Sequence, residues 1–106
     1  MSETSDRIAA AWRSAQNLPL FMTQAEAALD YAFQPIVDIH SGEVYGYEAL
    51  LREVEKLGFR APRDVFDHAY GIGCLAELET LLRRKAIAKF SRMKAAEKTK
   101  LFLNID

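Results

Sequence analysis

The residues that could do chemistry in this sequence lie on one predicted strand, where an acidic side chain interrupts an apolar run. Glu48 stands inside the segment VYGYEALLR, and Arg52 ends that segment. Alternate side chains of a strand share a face, so Glu48 and Arg52 lie on the same side, about 13 Å apart. Burying an unpaired carboxylate costs several kcal/mol. The pattern predicts either that Glu48 faces solvent or that a positive group lies beside it.

Two further polar side chains fall where the same face continues. Gln34 lies on the preceding predicted strand, and Asn104 lies on the last one, with Phe102 on the same side. Carboxylate and amide oxygens are ligands that Mg²⁺, Mn²⁺ and Ca²⁺ prefer, which makes Glu48 and Asn104 candidate metal ligands. The structural alternative is an exposed Glu48 on an edge strand, paired loosely with Arg52 for at most about 1 kcal/mol. In that alternative Asn104 is a polar cap at a strand end.

A β-hairpin, two helices and a third strand must position these residues. Residues 33–39 and 43–51 are the predicted hairpin strands, and Gly42 supplies the positive φ that a short hairpin loop requires. Apolar residues at spacings of three and four predict a long helix over residues 75–93. Residues 101–106 predict a strand that pairs parallel through this helical crossover. The order of elements indicates an α/β fold.

A helical lead-in is predicted ahead of the hairpin. The first short helix covers residues 2–16, with Ser2 or Ser5 as its cap and Pro19 beyond its end. The second covers residues 23–30, with Thr23 as its N-cap and a glutamate three residues later, the spacing of a capping box.

Charge is divided unevenly along a chain whose net charge is −1. Residues 1–82 sum to −7, and residues 83–100 sum to +7. The basic segment can meet phosphate or can form the solvated face of the long helix. Phe90 falls on the apolar stripe of that helix and the charges fall largely off it, which favours the solvated face. We therefore expect no nucleic-acid polymer as a partner.

The composition indicates one small globular domain of 106 residues, of which 50% are hydrophobic and 27% charged. Cys74 is the single cysteine, so no intramolecular disulfide can form, and a reducing compartment is favoured. No secretory signal pattern and no membrane segment of roughly 18 apolar residues is visible. We expect a cytoplasmic protein.

The segment FQPIVDIHSGEVYGYEALLR resembles the opening of the EAL domain family, the phosphodiesterases that hydrolyse the bacterial second messenger cyclic di-GMP. The likeness is carried by QPI at 34–36, SG at 41–42, GY at 46–47, EAL at 48–50 and LR at 51–52. Residues 61–87 resemble the helical segment that follows in the family, and LFLNID resembles the next strand, with its asparagine.

This resemblance implies a role for each matching residue. Glu48 and Asn104 would be ligands of Mg²⁺ or Mn²⁺, and Gln34, Leu51 and Arg52 would contact cyclic di-GMP. The planar guanidinium of Arg52 would lie toward phosphate. The family's metal-activated water hydrolyses the substrate to the linear dinucleotide pGpG.

The resemblance also implies a partial TIM-like (β/α) barrel, with residues 1–30 as the lead-in and residues 31–106 as the N-terminal part of an EAL domain. Such barrels need about 250 residues, and the later family motifs, with the catalytic residues, are expected beyond Asp106. We therefore expect a phosphodiesterase as the full-length parent and no activity from this chain alone. Open strand edges predict self-association by exchange of strands. The alternative is a catalytically silent EAL-like module that binds cyclic di-GMP or a protein partner in signalling.

Overall fold

The computed structural model describes residues 20–103, in which three helices, two 3₁₀ turns and three strands alternate. In chain order these elements are helix α1 (residues 20–28), strands β1 (Asp30–Val37) and β2 (Val44–Arg52), the 3₁₀ turn η1 (Val54–Leu57), helices α2 (Pro62–Gly71) and α3 (Leu75–Ser91), the 3₁₀ turn η2 (Lys94–Glu97) and strand β3 (Lys100–Leu103). The mixed α/β class is as expected. The barrel stays a prediction.

Within the described residues the sheet has the order β1-β2-β3, so β2 is the central strand. Strands β1 and β2 pair antiparallel, and β2 and β3 pair parallel. The parallel pair is joined through α2 and α3, because parallel neighbours need a long crossover connection. The predicted hairpin and the predicted parallel third strand are both confirmed.

The hairpin turn is built around Asp38. Its carboxylate accepts the backbone N–H groups of His40 (2.8 Å) and Ser41 (3.2 Å), a local bonding pattern that favours turns over continued strand. Gly42 has a φ of 74° and donates its N–H to the carbonyl of Asp38 at 2.8 Å. Gly42 therefore has the left-handed conformation that the sequence predicted for it.

The helices pack on one face of the sheet. Tyr31, Ala49 and Leu51 are buried in the same cluster as Leu78 and Leu82 of α3. Because side chains alternate along a strand, their neighbours in sequence point to the opposite face. Aromatic rings extend the packed layer, as Phe33 and Tyr47 both lie against Phe90, with centroids 5.6 and 5.9 Å apart.

Several predicted boundaries are wrong. Thr23 lies inside α1, which already covers residue 20, so it is not the N-cap of a helix over residues 23–30. Asp30 opens β1 instead of closing that helix. Helix α3 ends at Ser91, and β3 begins at Lys100, one residue early. The helix predicted over residues 2–16 and its boundary at Pro19 lie outside the described residues.

Basic side chains of α3 join it to the start of the sheet. Lys85 donates to the backbone carbonyl of Glu26 near the end of α1, where a helix carries partial negative charge. Lys89 donates to both carboxylate oxygens of Asp30 at 3.1 Å and to the carbonyl of Tyr31 at 2.6 Å. The backbone N–H of Tyr31 and the Lys89 ammonium hold the pKa of the Asp30 carboxyl below its ordinary value.

The rest of the basic segment is largely solvated, as predicted. Arg83, Arg84 and Arg92 are exposed, whereas Leu82, Ala86 and Phe90 of the same helix are buried. In the described part of the chain, no helix has the length and apolar character needed to cross a membrane.

Candidate functional site

The candidate site lies on the sheet face opposite the one against which the described helices pack. Glu48 of β2 is directly opposite Gln34 of β1 and in register with Phe102 of β3. Paired residues of neighbouring strands point to the same face, so these three side chains form a row across the sheet. The structure thus places Gln34 on the same face as Glu48, as the strand pattern predicted, and the register sets the two residues directly opposite each other.

Glu48 is half-buried and lies on the central strand, not on an edge. Among the described residues its carboxylate makes no side-chain hydrogen bond or ion pair. Arg52 shares the face, but its Nη1 donates to the carbonyl of Leu51 at 3.2 Å, so the loose Glu48–Arg52 pair is not formed. The carboxylate is therefore available to a ligand of opposite charge.

Within this row, the ring of Phe102 leans away from Glu48, toward the start of β2. Its ring lies over Gly46, where an added Cβ would come within 2.8 Å of the ring and of the Lys100 carbonyl oxygen. Tyr45 lies against the same ring with a centroid distance of 5.6 Å, and the Lys100 ammonium is 5.7 Å from the Tyr45 centroid. Gly46 was the one sequence signal for this packing, because a glycine inside a strand often marks the close approach of another group to the backbone.

Leu51 and Arg52 lie at the carboxyl end of β2, beside a pocket of about 170 Å³ that Phe66 also lines. The Leu51 side chain is buried and faces the helices, whereas the Arg52 side chain is exposed. Glu53 then ends the strand with a φ of 70° and forms an ion pair with Lys56 at 2.9 Å. The left-handed residue turns the chain sharply after Arg52, a feature that sequence reasoning missed.

The oxygen donors here are of the type that Mg²⁺ or Mn²⁺ takes, but the described residues alone do not supply a complete set of ligands. Residues 20–103 contain no group of three His, Cys, Asp or Glu side chains that could hold a metal. Asn104, the second predicted ligand, lies outside the described residues. A hard divalent cation takes six or more oxygen ligands, and Glu48 supplies one carboxylate.

Comparison with known proteins gives one match. The family model described as the EAL domain matches residues 17–106. The searches of curated proteins and of solved structures returned no match. The matched range includes the whole sheet, the row at Glu48 and the crossover helices.

Proposed function

Because this chain belongs to the EAL domain family, we propose that the sheet face that carries Glu48 takes part in the hydrolysis of cyclic di-GMP to pGpG. The observation that supports this most is the environment of Glu48. The glutamate of the EAL tripeptide stands on the central strand, half-buried, opposite Gln34 and without a charged partner in the described region. A half-buried carboxylate without a charged partner is free to bind a cation or a substrate group, which supports a functional role for Glu48.

We assign metal binding to one group of residues and substrate contact to another. Glu48 would hold the divalent cation together with Asn104, and the cation would supply Lewis-acid activation of a water. Arg52 would bind a phosphate of the cyclic dinucleotide with its exposed guanidinium. Gln34 would contact the substrate beside Glu48, and Leu51 would do so at the strand end. Because the Leu51 side chain is buried, Leu51 would contact the substrate through its main chain.

We further propose that the 106-residue chain does not turn over substrate alone, because Glu48 is a single carboxylate where a metal centre needs several oxygens. The same observation favours the second candidate, a silent module that binds cyclic di-GMP without metal chemistry. The two candidates differ in whether Glu48 and a divalent cation contribute to binding. The cytoplasm is the compartment we propose, since Cys74 is free and buried.

The test measures binding of cyclic di-GMP to the full chain by calorimetry, with Mn²⁺ and with chelator, and assays pGpG by chromatography. Under the leading proposal, Arg52→Ala abolishes binding and Glu48→Ala removes its dependence on Mn²⁺, while the exposed Glu43→Ala leaves both unchanged. If the affinity for cyclic di-GMP is the same with Mn²⁺ and with chelator and is unchanged by Glu48→Ala, the result supports the silent module. Formation of pGpG above the Glu48→Ala control would refute the inactivity of the chain, and absence of any binding would refute the site.

A further inference from the structure

A groove lies away from the sheet, between α1 and α3. It has a volume of about 550 Å³, with Met22 of α1 and Leu81 of α3 as apolar walls. Both side chains are half-buried, so each has apolar surface that the described residues leave uncovered. The groove shares no residue with the row at Glu48, so an occupant of the groove would leave that row free.

The two helices run in the same direction along the groove. Met22 in the first turn of α1 lines the groove together with Ala76 in the first turn of α3. Further along both helices, Lys85 of α3 donates to the backbone carbonyl of Glu26. A segment that precedes α1 and turns back on it therefore runs along the groove antiparallel to both helices.

The chain itself contains a segment that can do this. Residues 1–19 precede α1, and their sequence predicts a helix over residues 2–16 with Pro19 beyond its end. The link from residue 16 to residue 20 can span at most about 14 Å, whereas the axes of packed helices lie about 8–10 Å apart. Antiparallel helices are commonly joined by about 2–5 residues. The segment therefore has the reach to lie in the groove.

We propose that residues 2–16 dock in the groove of their own chain as an amphipathic helix, antiparallel to α1 and α3. Ile8 and Trp12 are four residues apart and give the segment an apolar side. In the docked arrangement, Trp12 covers the apolar surface of Leu81 and Met22 that the described residues leave uncovered. Burial of this large side chain is the main favourable term of docking.

The charges of the groove and of the segment are complementary. Glu26 and Glu77 line the groove and are exposed, and among the described residues neither carboxylate has a hydrogen bond or ion pair. Arg13 lies about 100° around the predicted helix from Trp12. With Trp12 toward α3, Arg13 therefore lies toward α1, where it pairs with Glu26. Arg84 also lines the groove, and its guanidinium stacks on the Trp12 ring.

Trp12 is the one tryptophan of the chain, so its fluorescence reports docking directly. The test measures the emission maximum and the acrylamide quenching of the full chain, without nucleotide or metal, so that it does not depend on the proposed function. Docked Trp12 emits at a shorter wavelength and is quenched less than in the same chain unfolded in urea. Because a short tether gives an effective concentration of about 1 mM, the protection is equal at about 1 μM and about 50 μM protein.

Charge reversal tests the position of the segment. Glu26→Arg faces like charge at Arg13 and is expected to lower the ratio of docked to undocked Trp12 about fivefold, as is Arg13→Glu. The double variant Arg13→Glu/Glu26→Arg restores the wild-type ratio, because it exchanges the charges in place. The matched control is Glu43→Arg, which has the same change in net charge at an exposed residue outside the groove and leaves the ratio unchanged. Circular dichroism checks that every variant is folded.

Several results would overturn the proposal. Trp12 could be as accessible to acrylamide in the folded chain as in the unfolded one. Its protection could rise between the two protein concentrations, which would assign the contact to another molecule. Protection that Glu26→Arg leaves unchanged, or that Glu43→Arg reduces as much, would place Trp12 outside the groove. Failure of the double variant to restore protection would likewise exclude the pairing of Arg13 with Glu26.

Discussion

Replacement of Gly46 by alanine tests the packing of β2 against β3 directly. The added methyl group would lie 2.8 Å from the Lys100 carbonyl oxygen and 2.8 Å from the Phe102 ring. The ring can rotate away, but the carbonyl belongs to the parallel ladder and can move only with β3. The substitution therefore separates the two strands locally or distorts the pairing.

Two opposing terms set the size of the effect. Loss of glycine restricts the unfolded chain and stabilises by about 0.4–1 kcal/mol, whereas overpacking at a site that cannot relax costs about 1–3 kcal/mol. Because one of the clashing atoms is backbone, overpacking dominates, and we expect a net loss of about 1–2 kcal/mol. Gly71 at the end of α2 is the matched control, since an added Cβ meets no atom within 4 Å there. Gly71→Ala should leave stability unchanged or raise it by up to about 1 kcal/mol.

Urea unfolding followed by circular dichroism measures both variants. Phe102→Ala in the Gly46→Ala background should recover part of the loss, because it removes one of the two clashes and leaves the other. A Gly46→Ala chain as stable as the wild type, or one indistinguishable from Gly71→Ala, would refute the close packing of β2 and β3.

Two further substitutions test the core. Burial raises the pKa of Tyr31 from 10.0 to about 12, so between these values the folded state keeps a proton that the unfolded state releases. The contribution of the protonated Tyr31 to the free energy of unfolding is therefore complete below pH 10 and is lost as the pH rises toward 12. Tyr31→Phe should flatten that decline in urea midpoints measured over the same range, and an unchanged slope would contradict the assignment. Leu78→Ala removes a fully buried side chain and should cost about 2–5 kcal/mol, whereas Ile87→Ala, half-exposed on the same helix, should cost about 0.5 kcal/mol or less in the same assay; equal losses would contradict the packing of α3.

Periodicity predicted the parts of the fold that depend on which side of an element a residue faces. The alternation along β2 placed Glu48 and Arg52 on one face, and the core confirms it because Ala49 and Leu51 are buried on the other. The stripe of α3 likewise separated Leu82 from its charged neighbours. These patterns are reliable because burial on one face fixes the phase of the whole element.

Three features of the fold had no clear signal in the sequence. The register that sets Gln34 opposite Glu48 depends on the geometry of the turn and on a bulge between Ile36 and Val37, which strand propensity does not specify. The left-handed backbone of Glu53 has no sequence signal, since glutamate is not a residue that favours positive φ. The start of α1 was misplaced because Thr23, a good capping residue, is also tolerated inside a helix.

The central position of β2 has a consequence for the order in which the protein is made. Synthesis proceeds from the N-terminus, so the β1–β2 hairpin leaves the ribosome before the residues of β3 exist. At about 5–20 residues per second, the 47 residues between Arg52 and Lys100 take roughly 2–10 s to add. During that interval one edge of β2 lacks its neighbour, and a lone hairpin is only marginally stable in water. The nascent chain therefore presents an unpaired strand edge to chaperones or to other chains before α3 and β3 cover it.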